Sequence, residues 1–160
     1  MDRELHGHIF QLNRSDGGVP KLAVAAAPVS PEGLAGDRQR DLRHHGGPER
    51  ALCLFPLEHI LELQREGHPI YPGAIGENVT IVGIAWEEVT PGRRLRLGDS
   101  VEILVTSYTT PCSNIAPAFS DGYFNRVHQK KYPGRARVYA RVTASGTLSI
   151  GDPVVLLAAD

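Results

Sequence analysis

Short apolar runs, each cut off by a glycine- or proline-bearing turn, restrict this chain to a fold made of many short strands. Val101, Ile103 and Val105 alternate with their neighbours as a half-buried strand requires. Pro111 then closes the segment, because it has no N–H to give to a sheet ladder. Leu5 to Gln11 reads as a strand, and Asp16-Gly17-Gly18 after it is turn chemistry, so Leu22 to Ala27 is expected to complete a hairpin. Ala51 to Phe55 is a buried apolar run, and Val79 to Val82 and Val138 to Thr143 have the β-branched character of strands. Leu95 to Leu104 and Leu148 to Leu157 repeat one pattern of strand, Gly-Asp turn and strand. Turn signals at such close spacing predict a mostly β barrel or sandwich.

One helix interrupts the pattern. Pro56 suits its first turn, Leu57, Ile60, Leu61 and Gln64 recur at helical spacing, and Gly67 is a stop, so Leu57, Ile60 and Leu61 are expected to face the core. Gly33 to Arg50 is too polar for core and reads as a long loop. It carries four arginines and two histidines around a Gly46-Gly47-Pro48 bend, where backbone amides can approach a phosphate. His6 and His8 share one strand face but lack a third ligand nearby, so a polar face is expected there in place of a metal site.

With 160 residues, residues 1–160 are expected to form a single domain. No apolar run approaches membrane-spanning length, the start has no signal-peptide core, and Cys53 and Cys112 lack the short spacing of a disulfide framework or zinc knuckle. A cytoplasmic protein without a membrane partner is expected. The net charge of -1 hides a basic final third: no Asp or Glu occurs between Gly122 and Gly151, while Arg126, Lys130, Lys131, Arg135, Arg137 and Arg141 do. That patch suits an anionic small ligand, and the near-neutral overall charge argues against nucleic acid.

Cys112 is the candidate reactive group. It lies just past a strand end among Thr109, Thr110, Ser113 and Asn114, whose hydrogen-bonding groups suit an anionic sulfur. Cys53, within an apolar strand, is expected to be an inert small hydrophobe.

Taken together, Gly18-Val19-Pro20-Lys21, Gly33-Leu34-Ala35-Gly36-Asp37-Arg38, His45-Gly46-Gly47-Pro48, Pro72-Gly73-Ala74-Ile75-Gly76-Glu77-Asn78, Pro111-Cys112 and Gly146-Thr147-Leu148-Ser149-Ile150-Gly151-Asp152-Pro153-Val154 resemble the MOSC domain. That family is named for the C-terminal domain of molybdenum-cofactor sulfurase and includes small stand-alone bacterial proteins. The resemblance covers nearly the whole chain and implies a β-barrel-like fold with one or a few short helices. It gives Cys112 the place of the family's cysteine, which either ligates molybdenum in the molybdopterin cofactor or carries sulfur as a persulfide. The motifs and basic segments together single out Arg38, Arg43, His45, Gly46, Gly47, Glu77, Asn78, Thr110, Asn114, Lys130 and Arg135 as cofactor-binding candidates. Family members commonly have an arginine shortly before Pro-Cys, where this chain has Tyr108-Thr109-Thr110, so the loop from Arg38 to Arg50 or the stretch from Lys130 to Arg137 would have to anchor the phosphate.

Two functions are compatible with the resemblance. One is a small molybdoenzyme that reduces an N-hydroxylated base or amidoxime with electrons from a separate donor protein. The other is a sulfur-carrier or cofactor-carrier module, served by a separate sulfurtransferase and without turnover of its own. A cofactor-free interaction barrel would leave the polar residues around Cys112 unexplained.

Overall fold

The computed structural model describes residues 6–38 and 47–158. Its strands are β1 (His6–Arg14), β2 (Leu22–Val24), β3 (Ala26–Ser30), β4 (Gly33–Leu34), β5 (Leu52–Pro56), β6 (Val79–Val82), β7 (Arg94–Leu97), β8 (Val101–Tyr108), β9 (Val138–Ala144), β10 (Gly146–Ser149) and β11 (Pro153–Leu156). One α-helix, α1 (Leu57–Arg65), accompanies them. Strand order β11-β7-β8-β9-β5-β6-β1 closes on itself when β1 pairs back to β11, with His6 opposite Val155 and His8 opposite Pro153. The result is the expected barrel, and β3, β4 and β10 form a small second sheet.

The barrel neighbours are antiparallel except β5 and β6. A parallel pair cannot be joined by a tight turn and needs a crossover. That is why the helix falls between these two strands. Alternate side chains fill the barrel: Leu95, Leu97, Val101, Ile103, Val138, Ala140 and Val154 are all fully buried. A second apolar cluster lies under α1, where Phe55, Ile60 and Leu63 meet Ile70 and Ile75 together with Ile115, Ala118 and Phe119 from the segment after β8. This cluster fixes the chain on the C-terminal side of Cys112 against the helix.

Two expectations need correction, and one expected pattern takes two topologies. The second arm of the N-terminal hairpin is not continuous: β2 pairs with β1, then Ala25 breaks the strand and β3 leaves for the small sheet. The two Gly-Asp repeats differ in topology. β7 and β8 form a hairpin, but β10 pairs with β3 while β11 joins the barrel, so the second turn passes from one sheet to the other. The helix also buries a different face. Ile60 and Leu63 are fully covered, Leu57 is half-buried, and Leu61 is 42% exposed. A buried stripe at 57, 60 and 63 turns Leu61 about 100° away from Ile60. The helix stops as expected: Gly67 takes a left-handed φ, its N–H donates to Gln64 O, and the His68 N–H donates to Leu63 O.

Two truncations check this assignment of the helix face. Leu63→Ala should lower the unfolding free energy by about 2–5 kcal/mol, whereas Leu61→Ala should change it by less than about 0.5 kcal/mol. Urea denaturation of the two variants gives the comparison, and similar losses in both would refute it.

Candidate functional site

Beyond the apolar clusters runs a chain of buried polar side chains that begins at Asp37 and ends beside the Cys112 segment. Lys21 Nζ lies 2.6 and 2.8 Å from the two Asp37 carboxylate oxygens, with both side chains almost fully covered. The Asn78 carboxamide donates to Asp37 Oδ2 and to Asn13 O, and its Oδ1 accepts from the Cys53 N–H at 2.9 Å. Asn13 in turn donates to Glu77 O and to Thr80 Oγ1, and the Thr80 hydroxyl donates to Glu77 Oε2, as does the Gly73 N–H. Removing one member of a buried ion pair such as Lys21–Asp37 strands the other charge, typically at about 3–5 kcal/mol.

The turn that carries Glu77 and Asn78 is held from both sides. The Lys21 N–H donates to Gly73 O at 2.9 Å. Gly73 has φ +90, and a Cβ there would collide with the Lys21 carbonyl, so only glycine lets the two segments approach this closely.

At the other end, β8 stops at Tyr108 and the Thr109 N–H still pairs with Arg137 O at 2.9 Å. Pro111 is buried, and Cys112 follows as a half-buried residue in extended conformation whose carbonyl accepts the first bond of a short 3-10 turn, Ser113–Ala118. This is the strand-end position expected for the thiol. Its expected polar company is divided differently, however. Thr109 is 1% exposed, and its Oγ1 lies 3.8 Å from the Sγ of Cys53. Cys53 is thus buried as expected, but it has a polar neighbour. Burial pushes its thiol pKa up, against the opposing charge of Arg137.

The other predicted residues fall into separate groups. Glu77 and Asn78 are fully buried and act within the network. Thr110 and Asn114 are exposed near Cys112, and Asn114 lines an apolar groove of about 180 Å³ with Val19, Pro20, Tyr71, Ile115 and Pro117. Gly47 is exposed with φ 87 ahead of the turn Pro48–Arg50, Arg38 is exposed with its N–H on Ser15 O, and Lys130 is exposed. Arg135 reaches Glu62 at 3.1 Å and Glu66 at 3.8 Å on α1. Arg43, His45 and Gly46 lie outside the described residues. His6 and His8 are both exposed on β1. Among the described residues no group of three His, Cys, Asp or Glu side chains gathers as a metal site.

Sequence reasoning placed Arg137 and Arg50 only within basic stretches and did not single out Tyr139. Arg137 is 5% exposed and donates to Ile75 O at 2.6 Å. The Arg50 guanidinium lies 5.7 Å from the centre of the Tyr139 ring. Burial raises the Tyr139 pKa, while the charges of Arg137 and Arg50 and a hydrogen bond with Thr109 oppose that rise. The sequence signals were the basic stretch after Gly122 and the arginine-rich loop that ends at Arg50.

A family model for the MOSC domain matches residues 41–155. The uncharacterized protein YflK of Bacillus subtilis is 34% identical over 136 residues, which cover 84% of this chain and 60% of YflK. A protein of Gibberella moniliformis described as a reductase is 30% identical over 132 residues, covering 80% of this chain and 23% of its own length. The chain thus spans six-tenths or less of these relatives. The crystal structure of YiiM from Geobacillus stearothermophilus superposes with a TM-score of 0.72 at 25% identity, over 95% of this chain and 75% of that one.

Burial raises the Glu77 pKa above its ordinary value of 4.5, against the bonds from Gly73 and Thr80. The folded state therefore holds the Glu77 proton more tightly than the unfolded state, where the value is about 4.3. The stability this contributes is complete below that value and is lost as pH rises through the folded-state pKa. Relative to Glu77→Gln, the wild type should be most favoured at and below about pH 4 and lose ground as pH rises above that in thermal melts. A wild-type advantage that grows with pH would mean that the buried carboxyl is held as the anion.

Proposed function

The chain belongs to the MOSC domain family, and on that premise we propose that it binds the molybdenum cofactor with the Cys112 thiolate as the protein's ligand to the metal, and reduces N-hydroxylated bases or amidoximes. Matches to the MOSC model and to a relative described as a reductase support this reading. The observation that carries it is the contrast between the two thiols: Cys112 is half-exposed at the end of a barrel strand, whereas Cys53 is sealed inside.

A half-exposed thiol just past a barrel strand is compatible with such a group. Cys112 is the partly exposed thiol among the described residues and would be the protein's donor to the metal. When bound, the cofactor would supply a redox-active metal suited to two-electron reduction of an N–O bond. The polypeptide's part is to hold and orient. The packed 3-10 turn after Cys112 holds the backbone that follows the thiol, because Ile115 and Ala118 are anchored in the cluster under α1. The adjoining groove offers an apolar wall and the Asn114 carboxamide to a small substrate. Reduction of an N–OH to an N–H releases water and consumes electrons and protons, with the electrons drawn from a separate donor protein.

The same exposed thiol also supports a second reading, in which Cys112 carries sulfur as a persulfide and the domain has no turnover. Metal ligation and persulfide chemistry both need the thiolate, so accessibility alone does not separate the two.

Elemental molybdenum and pterin fluorescence, measured on protein from a cofactor-competent host, distinguish them. Wild type and Cys53→Ser should hold equal molybdenum, and Cys112→Ser should hold little. In metal-free protein, iodoacetamide should modify Cys112 well before Cys53 at pH 7. Full molybdenum content in Cys112→Ser would refute metal ligation by Cys112, and a persulfide found on Cys112 of metal-free wild type would favour the carrier.

A further inference from the structure

One histidine joins the two apolar clusters. His59, on the first turn of α1, meets two aromatic rings: its centroid lies 5.8 Å from that of Phe55 and 6.4 Å from that of Trp86, with 74° between the planes in each pair. Phe55 belongs to the cluster under α1, whereas Trp86, 8% exposed in the 3-10 turn Trp86–Glu88, belongs to the barrel core. The Nδ1 of His59 is buried with no hydrogen-bond partner among the described residues. The helix has one further tie to the segment after β6, because the Glu58 carboxylate accepts from the Gly83 N–H at 2.8 Å.

Neutral, with its proton on Nε2, the imidazole leaves only an unpaired acceptor at the buried Nδ1. Protonated, both ring nitrogens carry an N–H, and the buried one has no acceptor, which costs far more for a charged group than for a neutral one. Attraction of the cation to the aromatic rings acts the other way, but it gives that N–H no acceptor. The charged groups around the ring are Glu62 and Glu58 on α1, Arg135 ahead of β9 and Glu87 on the Trp86 turn. Glu58 and Glu87 are exposed, so water screens their pull, and Glu62 is paired with Arg135 at 3.1 Å. Burial prevails and holds the imidazole pKa below its ordinary value of 6.5.

We propose that His59 is an acid-sensitive latch: neutral, it holds α1 to the Trp86 turn, and protonated, it parts from that turn and exposes Trp86 while the barrel stays closed. What it secures is the helix whose Ile60 and Leu63 pack with Ile115 and Ala118 of the turn after Cys112. The latch does not depend on what Cys112 binds.

Trp86 is the chain's only tryptophan, so its emission reports on that turn. As full-length wild type is taken from pH 8 to pH 5, its emission maximum should move reversibly to the red with a midpoint below about 6.5, while far-ultraviolet circular dichroism stays constant. His59→Phe keeps a ring and cannot titrate, so its emission should not move. The stability effect has a fixed sign. The unfolded state takes up the proton first, so the contribution of the latch is complete above about pH 6.5 and is lost as pH falls through the folded-state pKa. Measured against His59→Phe, wild type should therefore lose about 3–5 °C of melting temperature from pH 8 to pH 5, the change that a tenfold difference in proton affinity gives in a chain of this size. Glu77 titrates in both proteins and cancels in the comparison. If His59→Phe fails to fold, His59→Gln takes its place, since it too carries no titrating ring. An equal red shift in the variant, a fall in intensity without a red shift, or a midpoint at or above pH 6.5 would each overturn the latch. Loss of far-ultraviolet dichroism together with the shift would overturn it as well, because it would mark unfolding of the whole barrel.

Discussion

Asn78 holds three parts of the chain together, and the placing of the polar network depends on it. Its backbone pairs with Cys53 and with Asn13, while its carboxamide accepts from the Cys53 N–H and donates to Asn13 O and Asp37. It stands at the entrance to β6, where the parallel pair with β5 has no tight turn to set its register. A fully bonded amide in that position fixes the register directly. It also draws the Gly36-Asp37 loop onto the barrel, and a buried polar network of this kind specifies one arrangement because each alternative leaves groups unpaired.

The barrel was readable from sequence because its signal is local. Val101, Ile103 and Val105 alternate with period two whatever the distant chain does, and Gly98 and Gly151 mark turns by themselves. What was not readable depended on partners remote in sequence. Nothing in Leu61 and Leu63 says which of them meets Ile70 and Ile75. The two Gly-Asp segments look alike, yet β3 captures one strand of the second copy.

The candidate site shows the same limit. The place of Cys112 at a strand end followed from Pro111, but the company of its neighbours did not, because Thr109 turns inward toward Cys53 across 56 residues of sequence. The basic final third was visible as composition, and its acidic partners on α1 and at Glu49 were not. Three of the six basic residues there, Arg126, Arg135 and Arg141, are paired locally. Arg137 differs from the others in being buried, which a sequence count cannot show.

The pairing of β1 with β11 has a consequence for how the chain reaches this state. His6 lies opposite Val155, so the barrel wall is completed by strands from opposite ends of the described sequence. Contacts of such long sequence separation form late and slow folding, because the entropy of closing the intervening loop must be lost before the contact forms. During synthesis every other barrel strand leaves the ribosome before β11, and until β11 arrives β1 and β7 both lack the neighbour they will share. For that interval the nascent chain is an open sheet with exposed edges, the form most prone to pair with another chain.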